Sequence, residues 1–166
     1  HRNGLGSLYI KSTGNAYNES TSSTTACGDA STWPSQYGID LSCTETWLSQ
    51  VHSLPYMVQV AALGANEVKS SYSTPGPSVW ISGFGGEFGY DSDFYGSGVT
   101  GLKWEGPAIL TTDQSGCVNG YVGANMGTQR NFFEDGTGGN ALNPNCDYTS
   151  GFNGTSSAAP TVAGVV

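Results

Sequence analysis

The residues best suited to chemistry lie in the run Gly154-Thr155-Ser156-Ser157-Ala158-Ala159-Pro160-Thr161-Val162-Ala163-Gly164. A serine hydroxyl is a weak nucleophile and needs help from its surroundings. The start of a helix offers some. Its first N–H groups have no helical partners, and the positive end of the dipole favours a developing oxyanion. The composition suits such a helix. Residues 156–166 are rich in Ala and Val, and Pro160 falls early enough to be tolerated. Small residues around Ser156 let another backbone approach closely. A lone serine before an Ala-rich stretch is equally what an ordinary N-cap looks like.

The elements that must position this serine are short. Apolar runs at 8–11, 56–63, 79–82 and 108–112 have the length and the β-branched or aromatic content of strands. The first three read as buried on both faces, as in a parallel sheet. Between them lie a Ser/Thr-rich insertion at 18–50, a Gly-rich aromatic stretch at 84–106 and a further turn-rich stretch at 114–150. All three read as loops. No internal repeat is visible. The helix pattern runs to residue 166 without a stop signal, which leads us to expect part of a longer protein.

The 166 residues suffice for one domain with a core, and 25 Gly against 5 Lys plus Arg point to many turns and little helix. A formal net charge of -8 argues against nucleic acid and against anionic membrane surfaces. No run approaches the ~18–20 apolar residues of a membrane span, and none of these residues reads as a signal peptide. The four cysteines, at 27, 43, 117 and 146, lack the C-x-x-C spacing of zinc or redox motifs. An even number in such a chain suits two disulfides and an oxidising compartment. Of the three connectivities, Cys27–Cys43 with Cys117–Cys146 is the simplest.

The run at 154–164 reads G-T-S-x-A-x-P-x-V-A-G. It resembles the nucleophile motif of the subtilisin-like serine proteases, peptidase family S8. On that resemblance Ser156 is the nucleophile rather than Ser157, because Pro160 stands four residues after it. Leu8-Tyr9-Ile10-Lys11-Ser12-Thr13-Gly14-Asn15 resembles the family's strand ending in Gly-Asn, whose Asn side chain donates to the oxyanion. A neutral amide does this without a proton balance of its own. Taken alone, Asn15 would read as a turn residue. Ser70-Ser71-Tyr72-Ser73-Thr74-Pro75-Gly76, followed by Val79-Trp80-Ile81-Ser82-Gly83, is similar to the family's stretch before a buried strand. Ile109 to Cys117, with its Thr-Thr-Asp, resembles the kexin-like branch. Within that branch, the cysteine-bearing loop Asn145-Cys146-Asp147-Tyr148 is similar to one in secreted serine proteases of Gram-negative bacteria.

The resemblance implies an α/β, subtilisin-like three-layer fold with a parallel sheet. Residues 1–166 would be the C-terminal portion of the catalytic domain, from oxyanion strand through nucleophile helix. The implied activity is secreted (extracellular or periplasmic) serine endopeptidase, cleaving protein or peptide substrates through an acyl-enzyme on Ser156. Ser12, Thr13 and Gly14 would form one wall of the pocket for the residue before the scissile bond.

The pattern also fails in places. Subtilases need Asp, His and Ser in that order, and the first two motifs precede the oxyanion strand. His1 lacks the residues that follow the family's catalytic His, and His52 falls at the wrong point in the order. Both read as incidental, so the chain alone is expected to be inactive. Asp29, Asp40 and Glu45 could bind a basic substrate residue, but solvated loop carboxylates are the plainer reading. Calcium sites occur in this branch. Here residues 72–76 hold no carboxylate, and Asp91 with Asp93 supplies too few ligands. No cofactor is therefore expected in this chain, and calcium is left to the full-length protein. A truncated sheet predicts an oligomer or swapped assembly. Two rival readings stay open. One is a non-catalytic interaction module. The other is a carbohydrate- or surface-binding β domain, suggested by Trp33, Trp47, Trp80 and Trp104, although core packing explains those as well.

Overall fold

The computed structural model describes residues 2–4, 6–17, 45–46, 50–89, 106–118, 120–122 and 141–166. After a 3-10 turn at Arg2–Gly4 come β1 (Tyr9–Ser12), β2 (Met57–Leu63), β3 (Val79–Phe84), β4 (Ile109–Thr112), β5 (Tyr148–Phe152) and helix α1 (Thr155–Ala163). They divide between two compact units, one holding β1, β2, β3 and α1, the other β4 and β5. The class is α/β with a parallel sheet, as expected from the sequence.

In the first unit the strands lie in the order β1-β2-β3, all parallel. Parallel neighbours need crossover connections, which the long segments between these strands supply. Helix α1 packs on all three strands. Its closest approach is at Gly83. A Cβ there would stand 2.7 Å from the Ala158 carbonyl and 3.0 Å from a Val162 methyl. Ala62 pairs with Gly83 and shares its face, and both Ala62 and Ala158 are fully buried. Small residues on strand and helix thus set a tight helix–sheet distance.

The expectation that the first three strands are buried on both faces holds only for β2, whose Gln59, Val60, Ala61 and Ala62 are all buried. The outer strands differ. Tyr9 on β1 is exposed, and on β3 so are Trp80, Ile81 and Phe84. The register slips between Gln59 and Val60, so that Trp80 is an extra residue on β3. Trp80, 65% exposed, is therefore not a core residue.

The second unit pairs β4 with β5 in antiparallel fashion. Residues 148–150, expected to be loop, belong to β5. The Asn143 side chain caps this strand's start: its amide donates to the Tyr148 carbonyl at 2.6 Å, and its Oδ1 accepts the Tyr148 N–H at 3.2 Å. Cys117 and Cys146 are disulfide-bonded across 29 residues. Beside the bond, Gly116 N–H donates to the Asn145 carbonyl at 2.8 Å. The Cys27–Cys43 pairing lies outside the described residues, as do His1, Asp29, Asp40, Asp91, Asp93, Trp33, Trp47 and Trp104.

Candidate active site at the start of α1

Gly154 precedes α1 with φ 114°, a region that favours glycine. A Cβ at this position would also stand 3.3 Å from the Asn15 side-chain nitrogen. Ser156 is then the second helical residue, and it is exposed. Pro160 lies inside α1, which continues to Ala163. Lacking an N–H, it gives no helical bond to the Ser156 carbonyl.

The donors of this turn are largely taken. Gly154 N–H donates to the Tyr72 hydroxyl at 2.8 Å. Thr155 N–H donates to Asn15 Oδ1 at 2.9 Å. Ser157 N–H donates to the Gly154 carbonyl at 3.0 Å. Among the described residues no acceptor is bonded to the Ser156 N–H, which leaves it open to an incoming group.

The adjacent serines are chemically unlike. Ser157 is buried, and its hydroxyl donates to the Gly154 carbonyl at 2.7 Å. It is part of the turn's own hydrogen bonding, while Ser156 faces solvent.

Asn15 is exposed and follows β1 closely. Its Oδ1 accepts two hydrogen bonds from Thr155, including one from the hydroxyl at 2.8 Å. The Thr155 hydroxyl in turn accepts the Gly14 N–H at 3.2 Å. With Oδ1 held on Thr155, the amide nitrogen is the end of Asn15 left to act as donor. Neighbouring backbone is fixed as well. Thr13 N–H donates to the Val60 carbonyl at 3.0 Å, and Thr74 N–H to the Gly14 carbonyl at 3.0 Å. Ala16 N–H donates to the Thr74 hydroxyl at 3.0 Å. Thr13 is buried, whereas Ser12 and Gly14 are half-buried.

The structure thus brings Asn15 and the start of α1 together. Two participants, Tyr72 and Thr155, were given no role from sequence, although both sit inside motifs that were legible. His52 lies near Lys11 and Ser12 of β1. Burial pushes its ring below the ordinary histidine range and Lys11 pushes it further, while carbonyls of Thr46 and Ser12 pull it partly back. Glu45 is exposed. No group of three or more His, Cys, Asp or Glu able to hold a metal occurs among the described residues. Among them, too, no helix is long and apolar enough to cross a membrane.

No protein-family model matches the sequence. Two curated proteins do. The Aeromonas extracellular serine protease of Aeromonas sobria is 32% identical over 161 residues, covering 97% of this chain and 22% of that protein. The microbial serine proteinase of Aeromonas salmonicida is 30% identical over 158 residues, covering 95% of this chain and 22% of its own length. The crystal structure of the Aeromonas sobria serine protease superposes with a TM-score of 0.70 at 30% identity, over 96% of this chain and 23% of that one. The crystal structure of the same protease in complex with a chaperone gives 0.68 at 31% identity, with the same coverage. The chain is therefore homologous to Aeromonas serine proteases over nearly its whole length, and spans about a fifth of theirs.

Proposed function

We propose that residues 1–166 carry the nucleophile and the oxyanion donors of a secreted, subtilisin-like serine endopeptidase of the kexin-like branch. The observation that carries this reading is the bonding of Asn15 to Thr155, at the start of a helix whose next residue is an exposed serine. In this reading the Ser156 Oγ attacks the carbonyl carbon of a peptide bond while a base takes its proton. The carbonyl oxygen becomes an oxyanion and accepts from Asn15 Nδ2 and the Ser156 N–H. The C–N bond breaks, the amine leaves with the proton, and water hydrolyses the acyl-enzyme.

Ser12, Thr13 and Gly14 form one wall of the substrate pocket in this proposal. The base and its orienting acid belong to other parts of a longer protein, of which 1–166 is one portion of the catalytic domain. Residues 1–166 on their own are then inert, since neither His1 nor His52 stands in the family's catalytic motif. Calcium, if the longer protein binds it, is held outside these residues; 72–76 offers no carboxylate to it. The Cys117–Cys146 bond supports secretion into an oxidising compartment. Exposed Tyr9, Trp80, Ile81 and Phe84 support a protein partner or a second copy along the sheet.

The test is labelling with a serine-directed fluorophosphonate. The full-length gene product and the isolated 1–166 chain are each compared with their Ser156→Ala variants. Rapid, Ser156-dependent labelling is expected in the full-length protein alone. No labelling there removes the protease reading in favour of an interaction module. Rapid labelling of the isolated chain shows a base within 1–166.

A further inference from the structure

We infer that Tyr72 is the positioning residue that sets the spacing between Asn15 and Ser156; this deepens the protease reading and rests on it. Tyr72 is 7% exposed. Its main chain and side chain are bound to the two opposite halves of the site. On the strand side, its carbonyl accepts the Tyr17 N–H at 3.1 Å, two residues beyond Asn15. On the helix side, its phenol oxygen accepts the Gly154 N–H at 2.8 Å, two residues before Ser156. These halves lie far apart in sequence, and Tyr72 is separated from Gly154 by 82 residues.

The segment carrying Tyr72 is itself anchored, so it can act as a fixed reference. Ser70 N–H donates to the Ala62 carbonyl at 2.9 Å, and Ala62 N–H donates to the Ser73 hydroxyl at 2.9 Å. Both bonds tie the segment to the end of β2, the most buried strand. Thr74 N–H then holds the Gly14 carbonyl at 3.0 Å. Asn15 also touches the helix directly through Thr155, but that bond fixes the amide's orientation. The phenol fixes where the turn itself begins. Loss of its oxygen leaves a buried N–H without an acceptor and frees the Gly154 backbone, and with it the Ser156 N–H, to drift from Asn15. Misplacement of this kind penalises the reaction more than it penalises binding.

Tyr72→Phe in the full-length protein removes the acceptor and keeps the ring. Fluorophosphonate titration counts active sites, so kcat is read per competent serine and not per folded molecule. We expect kcat to fall by about tenfold with KM changed by less than about twofold. Amide exchange at Gly154 should be at least about tenfold faster than in the parent. Unchanged exchange at Gly154 overturns the hydrogen bond, whatever the activity. Faster exchange with unchanged kcat overturns the positioning role. If the parent protein titrates no serine, the protease reading falls, and the exchange measurement still decides the bond. Should Phe at this position prevent folding, a ring-fluorinated tyrosine at 72 weakens the acceptor and gives the same readouts.

Discussion

The Asn15 side-chain carbonyl accepts both the N–H and the hydroxyl of Thr155, a residue 140 positions further along the chain. The amide is thereby held in one orientation from a single neighbour. Asn15→Leu in the full-length protein should lower kcat far more than it raises KM, because the amide nitrogen matters most once charge has formed. Removing one such donor from subtilisin costs about a hundredfold to a thousandfold, and that magnitude is borrowed here. Thr155→Val should give a smaller loss of the same kind, since Asn15 keeps its nitrogen but loses one anchor. Steady-state kinetics showing a raised KM at unchanged kcat would remove Asn15 from the oxyanion hole.

Gly83→Ala should destabilise the first unit by about 1–3 kcal/mol, as overpacking typically does. The added Cβ would meet the Ala158 carbonyl at 2.7 Å, and backbone cannot step aside as a flexible side chain can. Gly164→Ala is the control. There a Cβ meets nothing closer than 3.5 Å, at a helical φ of -75°. Denaturant midpoints of the two variants should separate clearly.

Gln59→Met should raise stability by about 1–3 kcal/mol. Gln59 is fully buried on β2, and among the described residues neither of its side-chain polar atoms has a hydrogen-bond partner. An unpaired buried amide carries its desolvation cost uncompensated. Methionine has similar length and no such demand. Equal or lower stability in urea melts would show that the amide has a partner in solution.

Acid should weaken the fold in two stages. His52 has a lowered proton affinity in the folded state, first through burial and then through Lys11, despite the opposing carbonyls of Thr46 and Ser12. The unfolded chain therefore binds that proton better, and stability declines as pH falls through about 6.5 toward the lower folded value. At Asp113, burial pushes the carboxyl up, but N–H groups of Tyr121, Val122 and Gln114 together outweigh it and hold it below the ordinary range. Its contribution is present above about pH 3.9 and is lost as pH falls through the folded value. His52→Gln should abolish the first stage and Asp113→Asn the second, in melts run from about pH 8 down to the acid limit of folding.

Much of the frame was legible in the apolar runs. Each of the strands at 9–12, 57–63, 79–84 and 109–112 begins within a residue of where composition puts it; the first three do pair in parallel, although the burial on both faces that suggests it holds only for β2. Which strand lies in the middle was not legible. Tyr9 and Trp80 suit a strand as well as Val60 does, but their places on the outer strands, and for Trp80 the register slip, leave them exposed. β5 is hard to read because Ser150-Gly151 interrupts its strand-forming Tyr, Thr and Phe, and β4 and Asn143 hold it. At the site, Ser156 stood out from its run and Asn15 from its resemblance. The parts played by Tyr72 and Thr155 depend on bonds spanning 82 and 141 residues, and no local pattern encodes them.

The separation of Asn15 from Thr155 also bears on timing during synthesis. Contacts between distant positions form late, and parallel sheets share that delay. At typical translation speeds the 140 positions that separate them take roughly seven to thirty seconds to make. Until then β1 can leave the ribosome, but its asparagine has no threonine to hold it. A centre divided in this way stays unassembled until both halves have left the ribosome, so the early nascent chain carries none.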